Sequence, residues 1–234
     1  MPIIPVSEMH TRFLHLFDKQ SNFTAPEITP EEIDIYLNIA QTHLLDHLSQ
    51  EGVEKTQDWA DMTKNITKSY SVVPFSNSTN KPNGSYVTLP ADYRLALLEQ
   101  VTVNFIGCNN VIETDRIPVT PVTRDKYNKA IYDPFNKPWK EEVLRLSNDN
   151  NRFELILAPG MTPVMYHLDY MSQPPTIQYG SQYSIPPPPP TDVDCALETK
   201  AAEQVIYIAV NKALQTLGDA RLSYIQYDPL IKSI

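Results

Sequence analysis

A long amphipathic segment towards the carboxyl end most strongly constrains how this chain can fold. From Thr191 to Leu217, apolar residues recur at helical spacing and many of them are alanine, so another helix could approach this face closely. Thr191, Asp192 and Asp194 offer side-chain oxygens for an N-cap, and Gly218 is the residue type that commonly ends a helix. The pattern therefore predicts one helix over Thr191–Leu217.

Five consecutive prolines, residues 186–190, stand directly before this segment. A polyproline stretch is extended and continues neither a helix nor a sheet ladder. We interpret these prolines as a stiff spacer that brings the chain back into the closing helix.

A second helix has a clear start signal. Thr29 is a typical N-cap, Pro30 occupies the first helical position, and Glu32 completes a capping box. Apolar residues follow at helical spacing, which predicts a helix ending near Gly52 that packs against the closing helix. Weaker helical patterns cover residues 7–17 and 55–64.

From Lys68 the pattern changes to β-rich runs separated by turn residues. We predict a short helix over 123–132, followed by a rigid aromatic loop over 133–139. The pattern leaves residues 89–98 unassigned, with a short helix that passes into the strand over 100–106 as one alternative. The predicted strands are 69–75, 85–90, 100–106, 116–119, 142–146, 153–157 and 164–171.

The expected fold class is α+β, a helical bundle from the N- and C-terminal helices with an inserted antiparallel β region. We divide the chain into four parts. These are an N-terminal arm with bundle helices (1–67), the inserted β region (68–185), the closing helix after its proline spacer (186–218) and a C-terminal docking tail (219–234).

Composition limits the partners. The net charge of the 234 residues is −9, with 19 basic and 28 acidic residues. Tight binding to nucleic acid depends on Lys and Arg contacts to phosphates, so this charge argues against a DNA-binding protein and is compatible with a surface along which DNA slides. The sequence shows neither a signal-peptide pattern nor an apolar run of transmembrane length, and we expect a soluble protein made in a cytoplasm.

No catalytic motif stands out. The sequence has no Gly-rich phosphate loop, no GxSxG and no HExxH. His43 and His47 are spaced i, i+4 with Asp46 beside them, but a metal site needs a third ligand and none is evident. We therefore expect a solvated helix edge there, and we predict no enzyme activity, no cofactor and no metal.

The remaining reactive side chains have structural interpretations. Cys108 and Cys195 lack a CxxC partner, so we expect both to be reduced and buried. Three aspartates near predicted turns are expected to serve as turn and cap residues rather than as acids in catalysis. They are Asp92, Asp115 and Asp125.

Two features favour assembly with other proteins. Thirteen tyrosines with Trp59 and Trp139 exceed what one core needs, and aromatic residues are enriched at protein interfaces, although a tyrosine-rich β core explains several of them as simply. The tail, residues 219–234, is rich in apolar and aromatic residues. Such a segment either folds back on its own domain or docks on a partner subunit.

The ordered set of segments resembles the head-to-tail connector (ring or adaptor) proteins of crAss-like tailed bacteriophages. The resemblance extends from about residue 18 to residue 225 and depends on the order of several weak motifs. These are ITPEEIDIYLNIAQ, LPADYRLALLEQV, PVTRDKYNKAIYDPFNKPWKEEVLRL, FELILAPGMTPVMYHLDYMSQPPTI and the closing helix with LGDARL.

The resemblance implies a structural virion protein at the head–tail junction. Such proteins form a ring, typically of twelve copies, that joins the portal to the tail and extends the DNA channel. The implied partners are other copies of the chain, the portal, and further ring or tail proteins, while packaged DNA passes without specific binding and no membrane is involved. By position, the portal-contacting candidates are Leu222, Tyr224, Tyr227 and Ile231.

Two alternatives remain. The chain could be a tail-tube or tail-stopper subunit that never contacts the portal. It could instead be a hydrolase or a carbohydrate-binding module built on the β region, where tyrosines and Trp139 would stack on sugar rings.

Overall fold

The computed structural model describes residues 3–21, 28–49, 57–76, 84–107, 110–133, 135, 138–148, 151–180 and 191–216. The chain divides into two compact units. The helical unit comprises Met1–Ile66 and Pro174–Ile234, and the sheet unit comprises Thr67–Gln173.

Five α-helices and eight strands lie within the described residues. The helices are α1 (Val6–Ser21), α2 (Pro30–Ser49), α3 (Gln57–Thr63, followed by a 3-10 turn at Lys64–Ile66), α4 (Tyr127–Tyr132) and α5 (Thr199–Thr216). The strands are β1 (Thr67–Val72), β2 (Phe75–Ser76), β3 (Gly84–Thr88), β4 (Tyr93–Ile106), β5 (Ile112–Val122), β6 (Val143–Asn148), β7 (Arg152–Ile156) and β8 (Thr162–Ser172).

Helix α2 begins where the capping box predicts. The Thr29 backbone N–H donates to Glu32 Oε2 at 2.9 Å, and the Glu32 N–H donates to Thr29 Oγ1 at 3.3 Å. Two N–H groups at the helix start are thereby satisfied reciprocally. The helix ends at Ser49, close to the predicted end.

The core of the helical unit lies where α5 packs against α1 and α2. The alanine positions of α5 are fully buried, so the expected contact between α2 and the closing helix is present. Its buried side chains include Met9, Phe13 and Phe17 of α1, Ile33, Leu37, Ala40, Leu44 and Leu45 of α2, and Ala201, Ala202, Val205, Ile206, Ala209, Val210, Ala213 and Leu214 of α5.

The predicted start of the closing helix at Thr191 is wrong, because α5 begins only at Thr199. The expected cap oxygens have other partners. Asp194 Oδ1 accepts a hydrogen bond from the Val6 backbone N–H at 2.8 Å, at the start of α1. Asp192 Oδ1 accepts from the Gly180 N–H at 2.6 Å. Leu217 and Gly218 lie outside the described residues.

An extended segment, residues 174–180, is held on α2 by side chains one or two turns apart. Asn38 donates to the Ile177 carbonyl and accepts from the Ile177 N–H, both at 2.8 Å. Gln41 donates to the Pro175 carbonyl at 3.2 Å, and Asp34 accepts from the Tyr179 N–H at 3.0 Å. These contacts repeat because two residues of an extended chain cover about the same distance as one turn of an α-helix. Every second residue of the segment therefore meets an α2 side chain one turn away.

A single β-bridge joins described residues that flank the proline segment in the sequence. Gln178 and Val193 form an isolated antiparallel bridge, with N–H to carbonyl distances of 3.1 and 2.8 Å. This bridge holds residues 178 and 193 next to each other, and residues 181–190 between them lie outside the described part of the chain.

The sheet unit is one eight-stranded sheet in the order β1-β8-β4-β5-β6-β7-β3-β2. Its neighbours are antiparallel except β5 and β6, which are parallel with Val119 opposite Val143. A parallel pair needs a crossover, and residues 123–142 with α4 supply it. The predicted helix over 123–132 is thus shorter than expected, because a turn occupies its first residues.

The sheet curls so that its two edges approach each other. Strands β1 and β2 are the opposite edges, yet only Val73 and Pro74 separate them in sequence. Three consecutive Cα–Cα steps span at most about 11 Å. The predicted single strand over 69–75 therefore divides at this point between two edges of a curled sheet.

The interior of this sheet is filled by side chains from most of its strands. Tyr166, Leu155 and Val101 are completely buried there. This filling agrees with closed or nearly closed eight-stranded sheets, whose interior is just wide enough for side chains. The other buried residues of the core are Val87, Val103, Ile117, Val119, Val143, Phe153, Leu157, Leu168 and Tyr170.

The expected fold class, a helical bundle with an inserted antiparallel β region, is wrong. The protein has a mixed α/β fold whose largest single element is the curled sheet, with a parallel pair and a core of its own. The helices are short, between 6 and 20 residues. The error has a physical reason: helical periodicity is local and easily read, whereas sheet size depends on pairing between distant segments.

The helical alternative for residues 89–98 is also wrong. Strand β4 begins at Tyr93 and pairs with β8 through irregular registers between Tyr93 and Leu95 and between Ala96 and Leu98. Each such bulge interrupts the alternation of inward and outward side chains. The apolar run therefore lacked the period of two that marks a strand.

Candidate interaction surfaces

The crossover between β5 and β6 presents three aromatic side chains to solvent. Tyr132, Phe135 and Trp139 are 71%, 92% and 74% exposed. Two local hydrogen bonds lie in this segment: the Phe135 N–H donates to Asp133 Oδ1 at 3.0 Å, and the Glu142 N–H donates to the Trp139 carbonyl at 3.2 Å. Clustered exposed aromatic residues are typical of protein interfaces.

The tip of the β4–β5 hairpin forms a second apolar surface. Ile106, Val111 and Ile112 are 60%, 59% and 70% exposed. The Gly107 N–H donates to the Val111 carbonyl at 2.9 Å, which joins the two strand ends at the tip, and Asn110 adopts a positive φ of 60°. Asn is among the few non-glycine residues that tolerate this conformation.

Helix α2 carries a third apolar surface on the side away from its core. Ile35 and Ile39 follow each other at i, i+4 and are 57% and 47% exposed. The buried stripe of the same helix runs through Ile33, Leu37 and Leu44. A helix that is apolar on two sides is normally covered on both.

A groove lies between α1 and α5 within the helical unit, and we call it the α1–α5 groove. Its volume is about 280 Å³. At its rim, Arg12 donates to Glu203 Oε1 at 2.9 Å and to Glu8 one turn earlier. These two hydrogen bonds raise the pKa of the Arg12 guanidinium, and the bond to Glu8 has the larger effect. The lining residues are Arg12, His15, Leu16, Glu203, Ile206 and Tyr207.

A buried ion pair lies inside the curled sheet. Arg145 Nε is 2.8 and 2.6 Å from the two carboxylate oxygens of Glu99, and the two side chains are 12% and 7% exposed. The Tyr166 hydroxyl donates to Glu99 Oε2 at 2.8 Å. Burial, followed by the charge of Glu99, raises the pKa of Tyr166. The network joins β4, β6 and β8, so we assign it a structural role.

A row of polar side chains crosses β1, β8 and β4. His167 lies between the Ser71 hydroxyl at Nδ1 and the Thr102 hydroxyl at Nε2, both at 3.0 Å. Burial and then the charge of Arg116 lower the pKa of His167. The nearest carboxylate on the same strand, Asp169, accepts from Ser69 instead. The row therefore stabilises strand pairing and does not form a serine–histidine–aspartate arrangement.

The other candidate side chains also have structural partners. Cys195 is buried, which raises the pKa of its thiol to about 11. Asp92 accepts from Lys68 at 2.6 Å and from Tyr170 at 2.9 Å. The Lys68 hydrogen bond lowers the pKa of Asp92, and burial followed by the hydrogen bond to Asp92 raises that of Tyr170 to about 12.

Asp125 lies in the turn before α4, where the Thr123 hydroxyl lowers the pKa of its carboxyl. Asp115 is not near a turn but in β5, where its carboxylate accepts from the Arg116 N–H at 2.7 Å. His43 is exposed on α2, and the described residues contain no cluster of three potential metal ligands. Cys108 lies outside the described residues.

A family model described as phage tail ring protein 3/4 of crAss-like phages matches residues 5–220. The chain belongs to this family. The match covers most of the sequence and both units, and it confirms the resemblance to ring proteins of crAss-like phages. No curated protein matches the chain.

Family membership establishes the coarse role of this tail ring protein. It is a structural component of a bacteriophage virion and assembles with other tail components, in a family that is generally non-enzymatic. Within the described residues, no helix has the length and apolar composition needed to span a membrane.

The charge of the tail ring protein is unevenly divided between its units. By sequence, the sheet unit has eleven basic and eleven acidic residues, whereas the helical unit has eight basic and seventeen acidic residues. The whole net charge of −9 therefore belongs to the helical unit. An excess of one sign of charge influences which charged partners can approach a unit.

The predicted docking residues Leu222, Tyr224, Tyr227 and Ile231 lie outside the described residues and stay predictions. Sequence reasoning anticipated the aromatic loop but missed the outer surface of α2. The sequence does contain a signal for this surface: Ile35 and Ile39 are apolar but lie outside the helical apolar stripe that begins at Ile33. The α1–α5 groove has no sequence signal, since it depends on the packing of helices that are distant in the chain.

Proposed function

We propose that the protein is a non-enzymatic subunit of a twelve-membered ring that joins the portal to the tail and extends the DNA channel. The observation that carries this proposal is the match of residues 5–220 to a phage tail ring family. A ring is closed by head-to-tail contacts between two different patches of each subunit. Both units offer exposed apolar patches for such contacts, as seen at Ile35, Ile112 and Phe135.

The charge distribution supports a role for the helical unit at the channel. Packaged DNA must move through a ring without being held, and an acidic surface repels phosphates. The helical unit carries the entire net charge of −9. In this proposal the acidic helical unit faces the DNA, and the neutral sheet unit makes contacts between proteins.

The C-terminal tail, residues 219–234, is proposed to dock on the portal. Its contacts would be made by Leu222, Tyr224, Tyr227 and Ile231, which are large apolar or aromatic side chains within ten residues of one another. Such side chains supply most of the binding energy in compact interfaces. Helix α5, whose described part ends at Thr216, leads directly into this tail from the core of the helical unit.

Electron microscopy of the purified protein, alone and mixed with its portal, tests the proposal. We expect rings of twelve subunits bound coaxially to the portal. A protein that stays monomeric at every concentration, with and without portal, would contradict the ring. A ring of another copy number would contradict only the stoichiometry.

A second candidate is a ring within the tail that never contacts the portal. The word "tail" in the family description favours it. Deleting residues 219–234 separates the two functions. Loss of portal binding by a deletion variant that still forms rings supports docking on the portal, whereas retained portal binding refutes docking through these residues. Rings that bind a tail component but not the portal support the second candidate.

A further inference from the structure

We propose that in the free subunit the C-terminal segment, residues 217–234, binds in the α1–α5 groove of its own chain. This contact precedes ring assembly, so it does not depend on the proposed docking of the tail on the portal. The groove is the interaction surface, and its ligand is a short apolar and aromatic peptide that follows directly after α5.

The chemistry of the groove favours an apolar ligand. Its rim cation, Arg12, is already neutralised by Glu8 and Glu203, so a charged ligand would have to displace an existing ion pair. The remaining open lining consists of His15, Leu16 and Tyr207, and its apolar surface comes from Leu16 and from Tyr207, which is 47% exposed. A volume of about 280 Å³ is near the lower end for ligand sites and suits a few side chains rather than a cofactor.

The tail has the composition that this surface requires. Between residues 217 and 234 it carries leucines, isoleucines and tyrosines at close spacing, with two acidic and two basic residues that cancel. Aromatic and aliphatic side chains gain free energy roughly in proportion to the apolar surface that is removed from water. A neutral apolar peptide therefore gains by covering Leu16 and Tyr207 without disturbing the Arg12 ion pairs.

The length of the tail and its point of attachment place it within reach. The described part of α5 ends at Thr216, and Glu203 to Tyr207 lie nine to thirteen residues earlier, or about 14 to 20 Å along the helix axis. An extended chain covers about 3.3 Å per residue, so residues 217–222 alone can return over this distance. Leu222 and the residues after it can then occupy the groove.

The covalent connection favours the subunit's own tail over that of another copy. A short covalent linker between a ligand and its site gives an effective concentration in the millimolar range. Free subunits in solution would have to exceed that concentration before exchange between copies could compete. Self-docking covers the apolar tail and the apolar lining of the groove at the same time. The free subunit then exposes less apolar surface, which reduces non-specific association before ring assembly.

Hydrogen exchange of the full chain, measured under monomeric conditions, tests the proposal. We expect the amides of residues 222–231 to exchange about tenfold more slowly than an unstructured peptide, because a docked segment exchanges only when it opens. The substitutions Tyr207→Glu and Leu16→Glu should each abolish this protection. The matched control Ile39→Glu, on the outer surface of α2, should leave it unchanged.

Three results would overturn the proposal. These are unprotected tail amides in the wild-type protein, protection that survives both groove substitutions, and protection that disappears on dilution, which would assign the groove to another copy's tail. Amides of α2 and α5 report in the same experiment whether a variant is folded. Rings on portals are scored separately by microscopy, so failure of self-docking is distinguishable from failure of the ring proposal.

Discussion

The buried ion pair inside the sheet gives the sharpest test of how this fold is stabilised. Glu99 and Arg145 are 7% and 12% exposed, and the carboxylate also accepts the Tyr166 hydroxyl. The substitution Glu99→Gln keeps the shape and one acceptor oxygen but removes the negative charge. Arg145 keeps the Ser147 hydroxyl at 3.0 Å and the Phe153 ring at 4.0 Å, neither of which compensates a full charge.

Removing one partner of a buried pair costs about 3–5 kcal/mol, because the other charge stays buried without compensation. Glutamine retains an acceptor, so we expect a loss of about 3 kcal/mol in the free energy of unfolding for Glu99→Gln. Replacing both partners, as in Glu99→Leu with Arg145→Met, removes both charges from the core. That double variant should be more stable than either of its single variants.

Urea unfolding monitored by hydrogen exchange of β4 and β8 amides measures this loss in the sheet unit alone. An overall signal would mix the unfolding of two units. Glu113→Gln, an exposed carboxylate on β5, is the matched control and should change stability by less than about 0.5 kcal/mol. A Glu99→Gln variant as stable as that control would refute the reasoning, as would a double variant that loses the sum of both single losses.

Three further substitutions test contacts on which the fold depends. Asn38→Ala leaves the N–H and carbonyl of the buried Ile177 without their partners, and we expect the helical unit to lose about 2–4 kcal/mol, measured by urea unfolding. Asp194→Ala removes the cap at the start of α1 and should cost about 0.5–2 kcal/mol, with faster amide exchange in its first turn. Lys68→Ala should raise the pKa of Asp92, measured by NMR titration, since Lys68 is the main cause of its depression.

The stability difference caused by Lys68→Ala should depend on pH in a defined direction. A carboxyl whose pKa is lowered by folding adds stability above its unfolded value, about 3.9, and loses that contribution as the pH falls through the folded value. The stability difference between the wild-type protein and Lys68→Ala should therefore be present at pH 6 and vanish in strong acid. A difference that grows as the pH falls would contradict this assignment.

Controls for the other two substitutions come from the same chain. Asn65→Ala, at an exposed asparagine in the 3-10 turn of the helical unit, should change the stability of that unit by less than about 0.5 kcal/mol. Asp194→Asn keeps an acceptor oxygen and should retain most of the cap. A loss for Asn38→Ala no larger than that of Asn65→Ala would show that the Ile177 contacts are not stabilising.

Local signals in the sequence predicted where helices and strands lie better than they predicted which residues contact each other. The capping box of Thr29 and Glu32 is correct because both residues act within one helical turn. The assignment of Asp194 as a cap of the closing helix was wrong, although Asp194 does cap a helix. A side-chain oxygen serves whichever N–H lies near it in space, and the chain brings the start of α1 to Asp194.

The sheet shows the same limit on a larger scale. Strands β5 to β8 could be recognised from their β-branched and aromatic residues, but their order could not. The run over 69–75 looked like one strand because nothing in the sequence reveals that β1 pairs with β8 while Phe75 pairs with Tyr86 of β3. The fold class was misjudged for this reason: the sheet owes its size to pairings between distant segments.

In this tail ring protein, the residues that stabilise the fold are different from the exposed residues that are available for assembly. The interactions that hold each unit together are buried, as with Glu99 in the sheet and Asn38 in the helical unit. The large side chains that remain exposed, such as Phe135 at 92% and Ile112 at 70%, contribute little to folding because folding barely removes them from water. Their burial can occur only in an assembly, so selection for ring formation can act on these surfaces without disturbing the folded subunit.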